Sequence, residues 1–230
     1  MTDSSITQPD TGQITTGAKA VSLARLGRPT DSAKEAAILK AARQSFLELP
    51  YDRVSMDAIA ERASVSKVTL YAKYKSKDGL FVAAMTESCD AIYNQARTDT
   101  EVGGPIRETL LSLGTSFMMM ILDPEVAAMH AVMMQISQSL PELPRQFYAS
   151  SVDRSINTLA ETLAIADHRG TLACPNPRQA AVQFIAMVQG VFRYQLELGV
   201  SEGVTQTAVA AYVSSCVDLF LLGYGTKQPV

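Results

Sequence analysis

The chain has 230 residues, 47% of them apolar and 19% charged, and a net charge of −3. That composition excludes a disordered chain and supplies a packed core for one large domain or two modest ones. The near-neutral total excludes a polycation, but the charge is uneven: from Lys19 to Leu80, 12 basic residues stand against 7 acidic ones, so this stretch carries +5 and the rest −8. A polyanion is therefore expected at one end only.

Residues 1–27 read as a flexible arm: they are polar, hold Gly12, Gly17 and Gly27, and show no sustained period. A first helix follows Pro29, capped by Thr30 or Asp31, with Ile38, Ala42 and Phe46 on its inner face and Pro50 as its stop. Ser55 caps a short second helix whose inner residues are Met56, Ile59, Ala60 and Ala63. After a turn at Ser64-Val65, Ser66 caps a third helix from about Lys67 to Tyr74. Ser76 caps a long fourth helix, which Gly103-Gly104-Pro105 ends. Beyond Pro105 strand-like alternation is absent, and the breaks predict roughly five further helices, about nine in all.

Two short helices joined by a tight turn must cross steeply, which demands small and aliphatic residues at fixed offsets. Ala60, Ser64, Val65 and Leu70 meet those demands together. The exposed side of the third helix is then Lys67, Thr69, Tyr71 and Lys73, headed by Ser66. A helix fits the major groove of duplex DNA, with its first residues at base edges and marginal Lys and Tyr at phosphates. Lys77 opposes the dipole of the fourth helix, and with the free N–H groups there it forms a seat for a phosphate.

The same residues resemble the tetracycline-repressor (TetR) family. The matching positions are Ser55-Met56, Ile59-Ala60, Val65-Ser66, Thr69-Leu70-Tyr71, Ser76-Lys77 and Leu80-Phe81, in register over about residues 33–81. The resemblance implies an all-α protein with a helix-turn-helix head at residues 28–80 and a helical ligand-binding and dimerisation domain at 81–230. It implies Lys67, Val68 and Thr69 at bases, Tyr71, Lys73 and Lys77 on the backbone, and Ser55 against a phosphate. Arg28, in Gly-Arg-Pro, resembles an arm that enters the minor groove. The family commonly has glycine where this chain has Pro50, Ser64 and Val68. Ser64 therefore carries a conformational cost, and Val68 sets an apolar side chain on the groove face.

In the second half, six of the ten methionines fall between Met118 and Met134. Met lines surfaces that accept varied apolar ligands, and the resemblance implies a pocket for a small apolar molecule; Phe117, Met120, Met129, Met133, Phe147, Phe184 and Met187 are its expected walls. His130 is expected as a hydrogen-bonded core or pocket-wall residue rather than a metal ligand. A single helix is expected from about Arg178 to Leu198. The last helix, about Val204 to Leu222, is apolar nearly all round and needs cover on several faces. A second copy is the expected cover, making a homodimer through Ile185, Phe192, Val209, Tyr212, Val213, Cys216 and Phe220 and suiting a palindromic operator on double-stranded DNA.

Cys89, Cys174 and Cys216 form no paired motif, which fits a reducing cytoplasm, and the polar N-terminus lacks the apolar core of a secretory signal. Leu110–Leu122 is too short for a membrane span, which needs roughly 18 residues, and Ala208–Leu222 is interrupted by Ser214, Ser215 and Asp218. Neither a membrane nor a metal nor another cofactor is expected. No GxSxG, HExxH or phosphate loop suggests catalysis. The expected function is ligand-responsive control of transcription, usually repression; the alternative is an architectural or division-linked DNA binder of the same fold without a ligand.

Overall fold

A computed structural model describes residues 31–98, 104–200 and 203–226. Residues 1–27 and Arg28 lie outside them, so the expected arm is not among the described residues. Within the described residues the fold is all-helical, with one isolated bridge between Leu172 and Gly225. The head consists of α1 (Asp31–Glu48), α2 (Met56–Arg62), α3 (Lys67–Tyr74) and the start of α4 (Lys77–Thr98). There follow α5 (Ile106–Leu122), α6 (Pro124–Ile136), α7 (Glu142–Phe147), α8 (Asp153–His168), α9 (Pro177–Gln189), α10 (Phe192–Glu197) and α11 (Gln206–Tyr224).

These eleven helices exceed the expected count for two local reasons. A π-helical turn, Tyr148–Val152, separates α7 from α8. Gly190, at φ +48°, splits the helix expected from Arg178 to Leu198 into α9 and α10. A side chain at Gly190 would be strained at this positive φ and would displace the Tyr212 phenol, since its Cβ would lie 2.3 Å from that hydroxyl. That hydroxyl donates to the Met187 carbonyl at 2.8 Å, occupying an acceptor in the last turn of α9.

Two cores organise the described residues. The first joins Ile38, Ala42 and Phe46 of α1 to Ile59, Leu70, Leu80 and Phe81, and continues into Met129, Met133 and Leu143. It therefore extends well beyond residue 80. Phe81 stands edge-on to Phe46 at 4.8 Å and to Tyr51 at 5.5 Å, and Phe46 stacks on Tyr51 at 5.6 Å. The second core unites α5, α8, α9 and α11 through Leu110, Leu163, Phe184, Val188, Val213, Val217 and Phe220. Gly114 permits the close approach of α5 to α11: a Cβ there would sit 2.8 Å from the Val213 methyl.

By length and composition alone, α11 is apolar enough to cross a membrane, but its Val209, Val213, Val217 and Phe220 are buried in the second core. Gly79 weakens α4 by about 1 kcal/mol relative to alanine on helix propensity. It is nevertheless required, since a Cβ would meet the Tyr74 carbonyl at 2.9 Å.

Ser64 occupies the turn between α2 and α3 at φ +54°. Its N–H donates to the Glu61 carbonyl at 3.0 Å, and Val65 donates to Ala60 at 3.0 Å, closing the turn. A serine pays for that left-handed conformation, whereas glycine does not. Ser64→Gly is expected to raise stability by about 0.5–1 kcal/mol after its extra unfolded-state entropy is counted. The urea midpoint should rise with an unchanged slope; a lower midpoint would refute the assignment of strain.

Candidate nucleic-acid interface

The head presents one polar face from α2 and α3 over a filled interior. Leu70 is fully buried and pins α3 against the first core. The opposite side of α3 is open: Ser66, Lys67, Thr69, Tyr71 and Lys73 are exposed, and Val68 is 80% exposed. Ser55 is exposed at the start of α2, where its side chain makes no capping bond and is free to meet an external acceptor. Ser66 does cap α3, accepting from Thr69 N–H at 3.1 Å, and its hydroxyl lies 2.8 Å from the Thr69 hydroxyl. The two hydroxyls fix one another at the helix start.

The lysines are not loose. The Lys67 ammonium lies 2.5 Å from an Asp57 carboxylate oxygen on α2, and this bond holds it more firmly protonated than usual. Lys73 pairs with Glu35 of α1 at 2.6 Å. Lys77 donates to the Tyr51 carbonyl at 2.8 Å, with its ammonium 4.6 Å from the Tyr51 ring centre. Tyr51 in turn donates to Asp78 at 2.7 Å. Ser76 accepts from Gly79 N–H at 3.1 Å, so it caps α4 as its position predicts. The phosphate seat expected at Lys77 is thus half-buried and braced by an aromatic ring.

Sequence reasoning missed the bracing. Asp57 and Glu35 carried no periodic signal, and Tyr51 sits in a turn that the sequence marks only by Pro50. It also missed Arg43 of α1, which pairs with Glu87 of α4 and, at 2.5 Å, with Glu125 of α6. This cluster ties the head to the second half of the chain.

The residues expected to line one ligand pocket do not converge. Met129 and Met133, four apart on α6, are buried in the first core, with Phe147 packed against it. Phe184 lies in the second core beside Phe117 and Met187, edge-on to Phe220 at 5.3 Å. Met120 is half-buried and belongs to neither. Helical spacing aims the α6 methionines at α1 and α4, while α9 faces α11, so an apolar inventory splits between two cores.

Four of the seven expected dimer residues need a similar correction. Val209, Val213, Cys216 and Phe220 are buried within the chain's own second core; Ile185, Phe192 and Tyr212 pack against it. Phe192 meets Tyr212 edge-on at 5.0 Å. Residues four apart on α11 give it an inner apolar face, and its outer face bears Leu219 and Leu222, 60% and 85% exposed. Between α9 and α11 lies a cleft of about 520 Å³ lined by Gln183, Ala186, Met187, Leu219, Phe220, Gly223 and Tyr224.

His130 of α6 is hydrogen-bonded to Arg193 of α10, which also pairs with Glu197 at 2.7 Å. Burial, and secondarily the Arg193 charge, lowers its pKa from 6.5 to about 4, against an opposing pull from Glu197. The unfolded chain therefore takes up a proton that the native imidazole refuses, and stability falls as pH drops from 6.5 towards 4. His130→Gln should flatten that part of the pH profile of urea midpoints; parallel profiles for variant and parent would refute the account. Among the described residues no group of His, Cys, Asp and Glu is arranged to hold a metal ion.

Comparison with known proteins bears on both halves. Residues 38–84 match the family described as bacterial regulatory proteins, tetR family. Residues 108–226, half of the chain, match the AefR-like transcriptional repressor C-terminal domain. The HTH-type transcriptional regulator YdeS of Bacillus subtilis is 49% identical over 51 residues, 22% of this chain and 26% of that protein. The chain spans 26% and 54% of the lengths of the first two curated relatives it matches. A TetR-family regulator from Mesorhizobium loti shares the fold at a TM-score of 0.73, with 22% identity over 86% of this chain and all (100%) of the other. The flavonoid-responsive regulator FrrA aligns at a TM-score of 0.67, with 29% identity over the same shares, 86% and 100%. With both halves matched and the outer side of α3 exposed on the head, the chain belongs to the TetR family of helix-turn-helix transcriptional regulators.

Proposed function

We propose that this chain is a repressor that binds a palindromic operator as a homodimer and is released by a small apolar molecule. The observation that carries the reading is the open face of α3, where Lys67, Val68, Thr69, Tyr71 and Lys73 stand outward from a filled head. In this reading Lys67, Val68 and Thr69 meet base edges in the major groove. Ser55, Ser66, Tyr71, Lys73 and Lys77 hold the backbone. Residues 28–80 form the reading head and 81–230 the regulatory domain. The second copy docks on the outer face of α9 and α11, where Val182, Leu219 and Leu222 are exposed around the cleft. One relative is named for its response to flavonoids, which supports an aromatic or otherwise apolar effector.

Control would run through α4 and Arg43. An effector that favours one arrangement of α4 and α6 shifts the spacing of two heads, and DNA favours the other spacing; the coupling is reciprocal. The split of the expected pocket between two packed cores favours the alternative, a DNA binder of this fold without an effector.

Selection of bound sequences from random duplex DNA, with and without metabolite extract, tests both. The expected product is an inverted repeat whose half-sites lie about one helical turn, 10–10.5 base pairs, apart, with binding lost in extract. No enrichment sinks the repressor reading, and enrichment indifferent to every extract favours the alternative.

A further inference from the structure

Lys67 opens α3, where a cation opposes the helix dipole. Its Nζ nevertheless lies 2.5 Å from Asp57 Oδ2, with both side chains about half to two-thirds exposed, at 49% and 64%. Asp57 sits in the first turn of α2, where a carboxylate is favoured, two residues after Ser55. A fixed negative charge beside the residues that face DNA repels every phosphate nearby. It weakens binding unless it does something for recognition.

A free lysine is a strongly hydrated point charge on a flexible stem, and on DNA it settles against the nearest phosphates, whatever the sequence. One held by a carboxylate has its position set, with further N–H donors still unspent. The pair is worth little in water, but docking removes water from around it and strengthens the bond.

We infer that Asp57 is a specificity-determining residue: it holds Lys67 over a base edge, where the ammonium donates to the O6 and N7 acceptors of a guanine, and denies it to the backbone. This rests on α3 being the helix that reads DNA. Asp57 acts through Lys67 and touches no base; it is a positioning residue.

The test compares full-length parent, Asp57→Asn, Lys67→Met and the double variant. Each is titrated on two duplexes of equal length, the operator selected from random DNA and a random-sequence duplex, over a range of salt. Asp57→Asn should bind the random duplex more tightly and lower the operator-to-random ratio by about tenfold, with the loss confined to one base pair of each half-site. Its salt dependence should steepen by about one unit, as the freed lysine takes a phosphate. In the Lys67→Met background, Asp57→Asn should leave base preference unchanged. Both side chains are exposed, so thermal melting should be close to the parent's. An unchanged ratio and salt slope in Asp57→Asn overturns the inference, as does an equal loss of preference in both backgrounds. A parent that selects an operator while Asp57→Asn behaves identically defeats this inference alone. A parent that binds neither duplex defeats the reading of α3 as well.

Discussion

A Phe81→Ala protein should be about 3–5 kcal/mol less stable than its parent, the usual cost of deleting a buried phenyl ring. Phe81 has no exposed surface and stands edge-on to both Phe46 and Tyr51, so its removal leaves two rings facing a void that neither α1 nor α4 can close cheaply. The loss is large against a typical total of about 5–15 kcal/mol. It should also fall on function first. Tyr51 positions Lys77 and bonds to Asp78, so a shifted Tyr51 carries the braced ammonium away from the proposed DNA face. Urea denaturation followed by circular dichroism gives the stability, and titration with duplex DNA gives the function. A stability change below about 1 kcal/mol would mean the ring is not the keystone of the head.

On the homodimer proposed above, replacing Leu219 and Leu222 together by aspartate should yield monomers and weaken operator binding by about 10²- to 10⁴-fold. That is the avidity lost when two linked heads become independent. The two side chains are exposed on the outer face of α11, so the monomer should keep its helices and its single-head contacts. Opposed aspartates would bring like charges into a surface that a second copy must desolvate. Sedimentation reads the assembly and DNA titration the affinity. A variant that remains dimeric with parental affinity rules out this face as the interface.

The head was the legible part of the sequence, and the reason is locality. Ser66, Ser76, Ala60 and Leu70 are each dictated by neighbours within a few positions, through a cap, a tight crossing or a plug. Capping and steric rules act over that range. The expected inner face of Ile38, Ala42 and Phe46 is buried as its four-residue spacing demands. In the second half the determinants are distant. Periodicity marks Met129 and Met133 as apolar but does not say whether α1 or α9 lies opposite. An all-round apolar α11 has two usable faces, and only the tertiary structure shows that Val209, Val213 and Phe220 take the inner one. Gly190 falls inside the single helix expected from about Arg178 to Leu198; the reason for the break is a tyrosine hydroxyl arriving from 22 positions further on. Salt bridges such as Arg43 to Glu125 are similarly invisible, since nothing local pairs residues so far apart in the chain.

That tyrosine constrains how the molecule can move. With Tyr212 and Cys216 both donating to the Met187 carbonyl, α11 is pegged to the end of α9 at a single acceptor. Sliding one helix along the other would withdraw both donors and pull the phenol out of the notch it fills at Gly190. These contacts favour the pair moving as one plank, so that in the proposed homodimer a change of pitch between two such planks is absorbed elsewhere. On the proposed control route the compliance falls to α4 and the corner at Arg43, whose partners Glu87 and Glu125 are part-exposed carboxylates that can exchange without any buried acceptor being stranded.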